Sequence, residues 1–160
     1  MGSSPTARTI ARSSRPDETM TRLIRIAASV IARPDGYVLV VRKRGTTAFM
    51  QPGGKIDGAE TALAAVRREL YEELQIEVAE GALDYLGHFS ALAANEPGAT
   101  VDAEIFTLEW GEPVSSAAEI EEIRWVDPAI PGDIELAALT RDHIFPAWMA
   151  RRNLPPADGG

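Results

Sequence analysis

Four glutamates and an arginine gather in one short stretch of this 160-residue chain: Glu60, Arg68, Glu69, Glu72 and Glu73. In a helix, at roughly 100° per residue, Glu69, Glu72 and Glu73 fall within about 100° of one another and share a face. Leu63, Val66, Leu70 and Leu74 form an apolar stripe beside them, so one face packs while the next gathers negative charge. Like charges at that spacing cost about a few tenths of a kcal/mol per pair. Two arrangements tolerate this. One is a solvated acidic face neutralised by Arg67 and Arg68. The other is a site for a hard cation, because Mg²⁺ and Mn²⁺ take oxygen ligands and are held by a few carboxylates together with substrate phosphates. Pro52-Gly53-Gly54, just ahead of the helix, favours the cation. Glycines let backbone approach a ligand closely, and the helix N-terminus beyond them attracts anions. A metal and a diphosphate can be held together there.

Gly54, five residues, Glu60, seven residues, Arg68-Glu69-Leu70, one residue, Glu72-Glu73, one residue, Gln75-Ile76 resembles the Nudix box, G-x5-E-x7-R-E-U-x-E-E-x-G-U, in which U is a bulky aliphatic residue. One position departs: Gln75 stands where the family has glycine. Such a glycine caps a helix C-terminus in the left-handed conformation, which Gln adopts at a cost of about 1 kcal/mol or avoids by ending the helix differently.

The resemblance implies an α/β fold, an α/β/α sandwich over residues 21–152 with a mixed β-sheet and the box helix packed on it. It implies hydrolysis of nucleoside diphosphates linked to another group, by water attack on phosphorus. The divalent cations, Mg²⁺ or Mn²⁺, would sit on Glu69, Glu72, Glu73 and the Gly53 carbonyl; they neutralise and orient the diphosphate and lower the pKa of a bound water. Arg68 would orient the box glutamates, with Glu60 in support. The general base would come from the box or from a later glutamate, for which Glu104, Glu119, Glu121 and Glu122 are candidates.

Arg42, Lys43 and Arg44 end a strand ahead of the glycine loop, and Arg42 and Arg44 are expected to reach substrate phosphates beside Gly54. Trp125-Val126-Asp127 followed by Pro131-Gly132-Asp133 is similar in layout to the base-reading segment of the family's oxidised-nucleotide hydrolases. This makes Trp125 and Asp133 candidates for the purine, against a core tryptophan and a helix N-cap aspartate. Phe49 and Tyr37 are stacking candidates against core packing. His88 and His143 are assigned no role. The expected substrate is a small-molecule nucleotide, a nucleoside triphosphate with oxidised ones included. ADP-ribose or a nucleotide sugar is the alternative within the hydrolases, and a nucleotide-binding module without turnover the alternative to them. Isopentenyl diphosphate isomerisation fits less well, since that chemistry uses a catalytic cysteine and the chain has none. Homodimers are common in the family, so a second copy of the chain is a candidate partner.

The rest of the chain must position these residues. Sixteen Lys and Arg against 24 Asp and Glu give a net charge of -8, which argues against a stable nucleic-acid partner. Without cysteine there is no disulfide framework and no thiolate zinc site. The longest apolar stretches, such as Ile26 to Ala32, are too short to cross a bilayer, so a cytoplasmic protein with no membrane partner is expected. Residues 1–20 have the composition of a disordered leader and 153–160 that of a flexible tail. Alternation and β-branched residues predict strands over 23–32, 37–42, 82–94, 100–110 and 121–126. Helices are predicted over 59–74 and 134–150, the second interrupted near Pro146. Pro52-Gly53-Gly54 is expected to keep 45–57 free of regular structure.

Overall fold

A computed structural model describes residues 22–93 and 96–153; the expected leader, and the expected tail beyond Asn153, lie outside the described residues. The chain runs through β1 (Arg22–Ala32), β2 (Val38–Lys43), β3 (Gly53–Lys55), α1 (Ala62–Leu74), β4 (Asp84–Leu92), β5 (Ala99–Glu109) and β6 (Ile120–Val126). A π-helical turn, Thr140–Ile144, then leads into α2 (Phe145–Arg152). The sheet has the order β4-β5-β1-β2-β6, with β3 also paired to β1. β1 and β5 are parallel from Arg22↔Ala99 to Ala32↔Glu109, and the other pairings between these named strands are antiparallel, so the sheet is mixed.

The near-continuous apolar runs of β1 and β2 follow from burial on both faces. On one face Ala27, Ile31, Leu39 and Val41 pack under Val66, Leu70 and Leu74 of α1. On the other, Val30, Val38 and Val40 pack under Leu139, Ile144, Phe145 and Trp148 of the C-terminal helical segment. This is the expected sandwich.

Two local expectations are corrected. The glycine loop is not free of regular structure: Gly53–Lys55 forms β3, with Ala28↔Gly53, Ala27↔Gly54 and Ile26↔Lys55 in register. Ser29 N–H extends the pairing by donating to the Pro52 carbonyl at 3.1 Å. A Cβ on Gly53 would lie 2.3 Å from the Ala27 carbonyl oxygen and 2.5 Å from Ala28 Cα. The missing side chain, usually a loop signal, is here what lets the backbone enter the sheet. β1 and β2 pair directly only at Ala32↔Val38, and β3 takes the other end of β1.

The second helix is also different. Residues 134–137 are not helical, because this stretch pairs with the chain around Phe49: Phe49 N–H donates to Glu135 O and Ala137 N–H to Phe49 O, both at 2.8–2.9 Å. The expected interruption near Pro146 takes the form of the π turn, in which Phe145 N–H donates to Thr140 O and after which α2 begins with Phe145 and Pro146.

Candidate active site

α1 carries the glutamates, and both of its ends are fixed by side chains. Thr61 caps the start, its hydroxyl accepting from Ala64 N–H at 3.0 Å, so the helix begins three residues later than its propensities suggest. At the other end Gln75 takes the left-handed conformation, φ 60° and ψ 33°. Its backbone N–H and its Nε2 both donate to the Tyr71 carbonyl, the latter at 3.0 Å. Gln therefore adopts the geometry of the glycine it replaces, and its side chain satisfies a helix-end carbonyl in addition.

Glu73 lies deepest. It is 1% exposed, and its Oε1 accepts from Gly53 N–H at 3.1 Å while Oε2 has no partner. Burial pushes its carboxyl up to about 8; Glu69 and Glu119 push the same way, and Lys43 and the Gly53 bond oppose them. Burial also raises Glu69, against the pull of Arg68. Gly54 admits that side chain: a Cβ there would meet the Glu69 carboxylate at 2.5 Å. Glu72, on the same face, is half exposed.

Arg68 ties the group together. Its Nε and Nη2 donate to the two Glu60 oxygens at 2.7 and 2.8 Å, its Nη1 to Glu69 Oε2 at 2.9 Å, and its Nη2 to the Lys55 carbonyl at 3.1 Å. Glu72 Oε1 lies 3.5 Å from Nη1. The bidentate bond to Arg68, with a further one from Asp57 N–H, holds the Glu60 carboxyl down to about 2.

An oxygen-only donor set with an unpartnered, buried carboxylate oxygen suits a hard divalent cation. Among the described residues no three His, Cys, Asp or Glu side chains converge tightly enough to hold an ion as they stand. Arg68 engages Glu69 and Glu72, and Glu73 lies beneath them, so the carboxylates must leave the guanidinium in part to close on a metal.

A polar cavity of about 480 Å³ opens over this group, walled by Lys43, Arg44, Gly54, Lys55, Glu69 and Glu119. Arg44 reaches it while pairing with Glu121. Arg42 does not: its guanidinium bonds Glu122 at 3.2–3.3 Å and the Thr46 carbonyl at 2.9 Å. Lys43 takes the inward position instead, 3.3 Å from Glu119. A register shift in the β2–β6 pairing between Arg42 and Lys43 breaks simple alternation there. The loop ahead of β6 is tied to the helix by Ala117 N–H donating to Glu73 O at 2.9 Å, which brings Glu119 to the cavity wall.

The base-reading candidates lie elsewhere. Trp125 pairs with Leu39, four residues and roughly 13 Å along β2 from Lys43. It packs on the α1 side of the core with Arg33 stacked over its ring at 5.0 Å. Asp133 is exposed in the loop ahead of the helical residues that begin at Ala138, so it neither caps that helix nor lines these cavities. Phe49 is core, and Tyr37 stacks with Arg33.

Sequence reasoning passed over Gln51, a buried residue before Pro52 that borders the site from below. Nothing in its neighbourhood marks it, because its partner, Thr140, is 89 residues away.

A glycine-wedged sheet carrying a glutamate-rich helix, with an arginine clasping two of the glutamates, defines a class of phosphate-handling folds, and comparison with known proteins places the chain within it. The NUDIX domain family matches residues 23–148: the chain belongs to the Nudix family and is a Nudix hydrolase. No curated protein matches it. The E. coli ORF135 protein is similar in structure, with 25% identity, a TM-score of 0.67, and coverage of 90% of this chain and 100% of that one. A putative Nudix hydrolase family member from Chromobacterium violaceum shares 26% identity, with a TM-score of 0.66 and coverage of 87% and 85%. A bifunctional NMN adenylyltransferase/ADP-ribose pyrophosphatase from Francisella tularensis, complexed with AMP and a Mn ion, shares the fold at 15% identity. Its TM-score is 0.60, with 83% of this chain and 42% of that one covered.

Proposed function

We propose that the chain hydrolyses the diphosphate linkage of a nucleoside diphosphate derivative, with a nucleoside triphosphate, oxidised ones included, as the first substrate class and Mg²⁺ or Mn²⁺ as the cofactor. The observation that carries this is Glu73: a buried carboxylate with one oxygen on Gly53 N–H and the other unpartnered, beneath a polar cavity walled by Lys43, Arg44 and Lys55 together with Glu69, Glu96 and Glu119. Glu69, Glu72, Glu73 and the Gly53 carbonyl would hold the cation, which when bound neutralises the diphosphate and lowers the pKa of a water. Arg68, gripped by Glu60, positions Glu69. Lys43 and Arg44, with the backbone at Gly54, bind the phosphates. Glu119 accepts the proton of the attacking water; the water oxygen forms a new bond to phosphorus as the bridging P–O bond breaks, leaving two phosphate-terminated products.

The Francisella neighbour's description as an ADP-ribose pyrophosphatase, in a complex with AMP and a Mn ion, keeps ADP-ribose as the alternative substrate. The test is phosphate and pyrophosphate release from a panel of nucleotides with Mg²⁺, Mn²⁺ or chelator. Glu73→Gln should lower turnover about a hundredfold or more, roughly 2.7 kcal/mol of barrier. Undiminished turnover in that variant overturns the assignment of the site. Silence of the wild type on triphosphates, nucleotide sugars and ADP-ribose alike would leave a binding module.

A further inference from the structure

Below the carboxylates, Gln51 is only 5% exposed; its Oε1 accepts from the Thr140 hydroxyl at 2.7 Å, and its Nε2 has no partner. An amide buried in this way costs stability, and native folds seldom leave one without a use. The space around it is built. A narrow, apolar cavity of about 60 Å³ reaches in to Leu139 and Ile144. A second, of about 140 Å³, reaches out to Lys43, Gly53 and Gly54. The two share Ile26, Ala28, Met50, Gln51 and Val101 as walls, so they form one slot that opens where the diphosphate would lie. Of the buried unpartnered side-chain atoms among the described residues, only Gln51 Nε2 belongs to this slot.

We propose that this slot takes the nucleobase and that the Gln51 amide selects bases carrying a ring carbonyl, of the guanine or uracil type, over adenine. The inference rests on the nucleotide-hydrolase reading above and adds its base preference. Thr140 is the positioning residue. Its hydroxyl hydrogen goes to Oε1, which turns the NH₂ rather than the carbonyl of Gln51 toward the slot. With the purine C6 or pyrimidine C4 edge turned to Gln51, the keto oxygen of guanine or uracil accepts from that NH₂, whereas the amino group that adenine carries at the same position sets donor against donor. In an apolar slot that mismatch leaves two groups unpaired, which is how a site built for a hydrogen bond rejects a near-isostere.

Calorimetric binding of GMP, UMP and AMP, in chelator, to wild type, Gln51→Leu and Gln51→Glu tests this without relying on turnover. Wild type should bind GMP and UMP at least about tenfold more tightly than AMP. Gln51→Leu should bring the three within about twofold of one another; its Tm reflects two opposed changes, removal of the unpaired amide and loss of the acceptor for the buried Thr140 hydroxyl. Gln51→Glu, which keeps the shape, should abolish or invert the preference. Equal or tighter AMP binding by wild type, or a preference that survives Gln51→Leu, overturns the proposal; a lower Tm with the preference intact marks Gln51 as purely structural. Base-selective binding without phosphate release would sink the hydrolase reading alone. Phosphate release without base preference would sink this proposal alone.

Discussion

Four glutamates outside the box share a residue type and have very different surroundings. Glu104 accepts from the Tyr85 hydroxyl on the sheet. Glu121 pairs with Arg44, and Glu122 is held between Arg42 and Arg124, the latter at 2.8 Å. Glu119 alone of the four walls the cavity with Glu69 and Gly54. It follows Ala118, a non-glycine residue at φ 53°, a conformation that costs about 1 kcal/mol or more and is retained where surrounding structure demands it. As the proposed proton acceptor, Glu119 should contribute to kcat rather than to binding. Glu119→Gln should lower kcat by about 10²–10⁴ with KM close to wild type, while Glu122→Gln stays within a few-fold. Steady-state kinetics on the best nucleotide decides it: equal effects in the two variants would move the base back into the box.

At the scale of elements, what was legible in the sequence was whatever is encoded locally. The run of Ala, Leu, Glu and Arg before Gln75 marks α1, and the β-branched runs of β1 and β2 mark the buried strands. What escaped depends on partners distant in the chain. β3 exists because Gly53 fits against Ala27 and Ala28, and the inward turn of Lys43 because β2 and β6 shift register. Neither the start of the second helix nor Gln51 could be placed without the contacts of Phe49 and Thr140. Gln75 shows how a departure from a motif is absorbed by the element. Its left-handed backbone costs about 1 kcal/mol relative to glycine, offset in part by the side-chain bond to Tyr71 O. Gln75→Gly should raise Tm by about 2–4 °C, and Gln75→Ala, which keeps the strain and loses the bond, should lower it. Thermal denaturation of both variants separates the terms: a lower Tm for the glycine variant would mean that the side-chain bond outweighs the strain.

For the whole molecule, the same carboxylates that prepare the site set how stability responds to pH. In the unfolded chain Glu73 ionises near its ordinary 4.5, whereas the fold keeps its proton on to about 8. Between those values the folded state holds the extra proton, so stability falls as pH rises, and the loss is complete above about 8. Glu69, also raised by burial, acts in the same direction. Glu60 acts in the opposite one: held down to about 2 by Arg68, its contribution is present above 4.5 and disappears as pH falls toward 2. In chelator, Tm should therefore peak near pH 5 and decline toward pH 8, Glu73 accounting for a loss on the order of a few kcal/mol. Mg²⁺ at the proposed site would bind the ionised carboxylates of the fold, and so should restore Tm far more at pH 8 than at pH 5. Glu73→Gln should flatten the alkaline decline and weaken the Mg²⁺ effect together, because one buried charge causes both. A Tm in chelator that is level from pH 5 to pH 8, or a Mg²⁺ effect of equal size at both, would show that Glu73 is not the charge the fold holds in reserve for the metal.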